Sequence, residues 1–169
     1  MTENLSLTAE RFKATVFGVV VFVMDPCRRV LTVKELENKA ATGKSAGQAS
    51  CVSETAEPGE LAQSNISRAF TEELGIASER FSEVLDFKDY ALWETSYIPG
   101  VKNTKGVWAT VLKITCTDPE KLMSMVGSDK QPDGVEVVGF KTRQEFEALD
   151  LRPGVRNIMN KFGDEIFAK

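Results

Sequence analysis

A chain of 169 residues and 18.6 kDa is the size of one ordinary domain, long enough to bury a real core. Apolar residues make up 42% and charged residues 27%, the proportions of a soluble globular protein rather than a disordered or fibrous one. Lys and Arg total 21 against 25 Asp and Glu, a net charge of -4 that argues against a nucleic-acid polymer as partner, and the absence of histidine excludes a Ser-His-Asp triad, a Cys-His pair and a His-ligated metal.

In chain order, the β-branched and aromatic stretch Phe12 to Met24 predicts a mostly buried strand. Its apolar part, Val16 to Met24, is about half the ~20 residues of a bilayer span, so no membrane segment is expected. Arg11 and Lys13 precede it, but no small-residue cleavage site follows, so it does not read as a signal peptide. Asp25-Pro26 opens a turn into a second alternating strand, Arg28 to Leu36, and the two should form a hairpin. Lys39 to Gln48 reads as a small-residue loop and Gln48 to Glu54 as a short strand. Glu60 to Leu74 has helical periodicity and stops at Gly75.

Phe81 to Phe87, Tyr90 to Ile98 and Gly106 to Thr115 are strand-like, with a loop over Ile98 to Thr104 between the last two. Asp118-Pro119 should cap a short helix to about Val126, followed by a strand over Val135 to Lys141 and a short helix over Thr142 to Leu149. A final helix begins near Pro153, with Val155, Ile158, Met159, Phe162 and Ile166 on one face. No repeat or linker divides the chain, so residues 1–169 are expected to form a single mixed α/β domain with a mixed sheet. The cysteines Cys27, Cys51 and Cys116 are odd in number and widely spaced, which predicts free thiols and a cytoplasmic location.

Within the helix after Glu60, the apolar residues Ala62, Ile66, Ala69, Phe70 and Leu74 fill an arc about 140° wide. Glu73 falls in the middle of that arc, and Glu72 on its edge near Arg68. A carboxylate on a core-facing stripe costs several kcal/mol unless it is paired, hydrogen-bonded or bound to a metal. Periodicity leaves two readings open, a metal site and a tolerated surface cluster with an Arg68–Glu72 pair at i,i+4.

Read with its upstream loop, Glu54 to Ile76 resembles a Nudix box, G-x5-E-x7-R-E-U-x-E-E-x-G-U with U a bulky apolar residue. Glu60, Arg68, Phe70, Glu72, Glu73, Gly75 and Ile76 match in order and spacing, and Glu57 and Gly59 occupy subsidiary positions of such boxes. Two positions depart: Glu54 stands at the leading glycine, and Ala69 at the glutamate after the arginine. The resemblance implies a Nudix-type α/β/α sandwich and hydrolysis of a diphosphate bond in a small molecule, such as a nucleoside diphosphate derivative, using Mg2+ or Mn2+.

By that resemblance Glu72 and Glu73, with Glu60, are metal ligands, while Arg68 and Glu60 orient the loop and helix. Asp133 and Glu136 lie where a further acid often enters in the family, and either could replace the carboxylate missing at Ala69; Glu57 is a third candidate. Dimers are frequent among such proteins, so a homodimer is compatible with the resemblance. A non-catalytic module of the same fold, binding a nucleotide, metabolite or protein, is the alternative that Ala69 motivates. An isoprenoid diphosphate isomerase is disfavoured by the absence of histidine.

Weaker signals stand apart from the box. Gly43-Lys44-Ser45 fails as a phosphate-binding P-loop because Asn38 occupies the earlier glycine position. Trp93 and Trp108 could stack on a planar group, although aromatic residues in strands usually fill the core. Tyr97 and Lys105 flank the expected mouth of the site.

Overall fold

The computed structural model describes residues 16–40, 43–97 and 106–169. The first strand, β1 (Val16–Met24), is almost continuously apolar because both of its faces are covered. Val19, Val21 and Val23 point into one core, and Val20, Phe22 and Met24 into a second. This alternation defines the three layers. The first core is completed by Ala69, Phe70 and Leu74 of helix α1 (Ala62–Leu74), and the second by Val155, Ile158, Met159 and Ile166 of the C-terminal helix (Pro153–Ile166). The result is an α/β/α sandwich.

The strands after β1 are β2 (Val30–Glu35), β3 (Ala49–Ser50), β4 (Val52–Thr55), β5 (Leu85–Tyr97), β6 (Val107–Cys116) and β7 (Val135–Lys141). β1 runs parallel to β6, from Val16 opposite Val107 to Met24 opposite Thr115. It runs antiparallel to β2 near Met24 and to β4 between Gly18 and Val21. β2 also pairs antiparallel with β3 and β7, and β5 with β6, so the sheet is mixed. The expected hairpin is present, closed by the turn at Asp25, whose carboxylate accepts the Arg29 backbone N–H at 2.8 Å.

Helices α2 (Pro119–Met125) and α3 (Arg143–Glu147) begin as their caps predict. Asp118 accepts the Lys121 N–H, and Thr142 with Glu145 forms a reciprocal capping box. α4 (Pro153–Ile166) starts on a proline, whose missing N–H costs a helix nothing at its first position.

Two expectations are corrected. Of the strand expected over Phe81 to Phe87, only Leu85 to Phe87 is extended: Ser78–Glu83 winds as a 3-10 turn that puts the Phe81 ring 5.1 Å from that of Phe70. The two strands expected on either side of Lys88-Asp89 are one, β5, interrupted by a bulge between Asp86 and Tyr90. Residues 12–15, the loop at 98–104 and Lys105 lie outside the described residues. The cysteines are free, with Cys51 and Cys116 buried and Cys27 exposed. No helix among the described residues is long and apolar enough to cross a membrane.

Candidate active site

The site is assembled where α1 lies across β1 and β4. Gly18 allows the two strands to approach: a Cβ there would stand 2.6 Å from the Glu54 carbonyl oxygen. The helix ends at Gly75, in the left-handed conformation at φ 65°, and its N–H donates to the Thr71 carbonyl. Further carbonyls of the last turn are taken by the loop before β7, with the Gly127 N–H on Leu74 and the Asp133 N–H on Glu72. The Glu72-Glu73 end of the helix is therefore held by backbone on two sides.

Arg68 is the hub of the preceding loop. Its Nε donates to Glu60 Oε1 and its Nη2 to Glu60 Oε2, both at 3.0 Å, and Nη2 also reaches the Thr55 carbonyl at 2.6 Å. Its Nη1 stands 3.4 Å from Glu54 Oε1 and 3.5 Å from Glu72 Oε2. Glu60 accepts in addition from the Glu57 N–H at 2.8 Å and from Asn65 Nδ2 at 3.2 Å. The Arg68 guanidinium, then the Glu57 N–H, bring the Glu60 carboxyl down to about 2.

The two acids at the end of α1 behave oppositely. Glu73 is 4% exposed, as its place on the apolar arc requires, and its Oε2 accepts the Ser53 N–H at 2.8 Å. Burial raises its carboxyl well above the usual range, the neighbouring Glu35 adds to the rise, and the Ser53 N–H, Arg152 and Lys44 oppose it. Glu72 is half-buried and its carboxyl is also raised, first by burial and then by a hydrogen bond with the Glu54 carboxyl. The residue that replaces the leading glycine of the box thus meets an acid of the box itself.

Glu54, Glu72, Glu73 and Asp133 line a cleft of about 250 Å3, together with Lys44, Tyr97 and Arg152. Arg152 carries no signal in its local sequence, and Lys44 only that of a P-loop that fails at Asn38. Both are held by Glu35, a wholly buried acid of β2: the Lys44 ammonium lies against Oε2, and Arg152 Nη1 is 3.3 Å from Oε1. Separations of 117 residues between Glu35 and Arg152 leave nothing for a local pattern to register.

Of the acids singled out in the sequence, Glu72, Glu73 and Asp133 share the cleft and Arg68 stands behind Glu72. Glu60 and Glu57 line a neighbouring hollow instead, and the Glu60 oxygens are turned to Arg68, Asn65 and the Glu57 N–H. Glu136 is exposed on β7 opposite Lys34, outside the lining of the cleft. Trp108 is buried beside that second hollow, and Trp93 stacks on Phe162 and donates to Glu165 at 2.8 Å. Ala69 is fully buried in the core. Among the described residues, no three His, Cys, Asp or Glu side chains converge into a ready-made metal cage.

No family profile and no curated protein matches the chain. Solved structures do. A NUDIX hydrolase from Nitrosomonas europaea superposes with a TM-score of 0.56 at 16% identity, covering 89% of each chain. A MutT protein from Methanosarcina mazei Go1 gives 0.55 at 15% identity, over 89% of this chain and 94% of that one. An Ap4A hydrolase from C. elegans gives 0.55 at 10% identity, over 90% of this chain and 98% of that one.

Proposed function

From the Nudix fold that this chain shares with those structures, we propose that it hydrolyses a diphosphate bond in a small molecule, a nucleoside diphosphate derivative or related pyrophosphate, with Mg2+ or Mn2+. The observation that carries the reading is the gathering of the Glu54 and Glu72 carboxylates on Arg68 Nη1, at 3.4 and 3.5 Å, in the cleft that also contains Glu73. Two like-charged groups in contact raise each other's energy, and a cation relieves that cost. The donor set fits a hard cation, since every candidate ligand is a carboxylate oxygen. The lack of a three-acid cage is compatible with magnesium, which is usually held by one or two carboxylates and completed by water and phosphate oxygens.

Glu72 and Glu54 would hold the ion, with Glu73 as the inner acid of the same cleft. When bound, the ion would screen the diphosphate and make water a stronger nucleophile. The chain's own part is orientation and proton handling. Arg68 fixes Glu54 and Glu72 side by side, and Asp133, a further carboxylate lining the cleft, is a place for the proton released by the attacking water. Release of phosphate or monophosphate from a panel of diphosphates with Mg2+ should fall about 10²-fold in Glu72→Gln. Equal release by the two proteins would overturn the reading.

The burial of Ala69 favours a second reading, a binding module without turnover, since no side chain at that position can act on water. Calorimetry separates them: tight uptake of a nucleotide with no product formed supports the module.

A further inference from the structure

Arg152 is built unlike a surface arginine. Its side chain is 11% exposed, its backbone N–H is bonded to the Ala49 carbonyl, and its buried Nε donates to no partner among the described residues. Its Nη1 approaches Glu35 Oε1 at 3.3 Å. A buried guanidinium donor left without an acceptor costs free energy, so its retention calls for an acceptor that arrives with a ligand. The residue is the N-cap of α4, whose first turn has no side-chain cap and no acidic residue. The positive end of that helix therefore faces the same space, and Gly154 in its first turn lines the cleft. There the Tyr97 phenol lies so close that a Cβ on Gly154 would stand 2.9 Å from its oxygen. Lys44, 11% exposed, is fixed on the other oxygen of Glu35, so one buried acid holds two cations at the cleft wall.

We propose that Arg152, Lys44 and the first turn of α4 form an oxyanion subsite, so that the ligand carries a further anionic group, a phosphate or a carboxylate, beyond the diphosphate met by Glu72. The proposal rests on the reading of the cleft as a diphosphate hydrolase site and narrows its substrates to those with an additional acidic group. The other charged groups lining the cleft are Glu37, Lys39, Glu54, Glu72, Glu73 and Asp133. The acids among them would repel an anion, which confines it to the Arg152 and Lys44 side.

The test is an amide and arginine Nε–H NMR titration of the metal-free protein with inorganic phosphate and, separately, with succinate. Both the Arg152 Nε–H and the Gly154 N–H signals should move on saturation, and the tighter of the two anions names the group. Arg152→Lys keeps a cation beside Glu35 but loses the Nε–H donor, and should weaken binding about tenfold. Arg152→Met should weaken it further, its fold checked by the dispersion of the same spectrum. Signals that stay fixed with both anions, or equal affinity in wild type and Arg152→Lys, overturn the subsite. A bound anion at Arg152 with no hydrolysis of any diphosphate would leave the subsite standing and remove the hydrolase reading alone. Hydrolysis with an unchanged KM in Arg152→Lys would do the reverse.

Discussion

The Glu73 carboxyl accepts the backbone N–H of Ser53 at 2.8 Å, so helix α1 and strand β4 are joined through a buried acid. The bond satisfies a strand N–H that would otherwise be orphaned, and it fixes the rotation of α1 about its axis. Glu72, one residue earlier, is thereby turned to Glu54 and Arg68 rather than to the core.

That buried acid makes stability depend on pH. Burial raises the Glu73 carboxyl above its ordinary 4.5, so the folded state holds a proton that the unfolded chain has released. The favourable contribution is complete below pH 4.5 and is lost as pH rises toward and through the folded value. Glu73→Gln keeps an acceptor for Ser53 and cannot ionise. The melting temperature of the wild type should therefore fall relative to Glu73→Gln as pH is raised above 4.5, in metal-free buffer. Parallel melting curves across that range would contradict the burial argument.

Glu60 behaves with the opposite sign. Its carboxyl is lowered to about 2 by Arg68 and the Glu57 N–H, so its contribution is present above the ordinary 4.5 and is lost as pH falls through about 2. Glu60→Gln should melt below the wild type at neutral pH, with the gap closing on acidification. A gap that stays constant down to pH 2 would show that Arg68 does not depend on the charge of its partner.

Replacing Gly75 by alanine should be among the most destabilising changes in the chain. A left-handed φ alone costs about 1–2 kcal/mol for a residue with a Cβ, and here that Cβ would fall 1.8 Å from the Lys130 carbonyl oxygen. Gly47 is the control, with φ 89° and nothing within 4 Å of an added Cβ. Urea unfolding should give Gly75→Ala a loss well beyond that of Gly47→Ala, and equal losses would mean that the Lys130 contact relaxes freely.

Ala69→Glu supplies the glutamate of the Nudix-box pattern at a position that is fully buried against the first core. An unpaired carboxyl there costs about 2 kcal/mol or more. The metal-free variant should be less stable than the wild type by that order in urea, and Mn2+ should recover part of the loss. Full stability without metal would indicate that the side chain escapes to the cleft unaided.

Features that depend on neighbours along the chain could be read from the residues alone. The end of α1 at Gly75, the caps at Asp118 and Thr142, the buried stripe of α4 and the inward turn of Glu73 all follow from spacings of three or four residues. Such spacings did not determine that β5 is one bulged strand, because the bulge answers to β6 rather than to β5's own residues. The tertiary structure alone decided that Glu54 meets Glu72, that Glu60 turns to Arg68, and that Glu35 gathers Lys44 and Arg152 at one cleft. Those contacts join residues brought together by strand pairing and layer packing, and a pattern of local periodicity holds no record of which distant side chains a sheet makes neighbours.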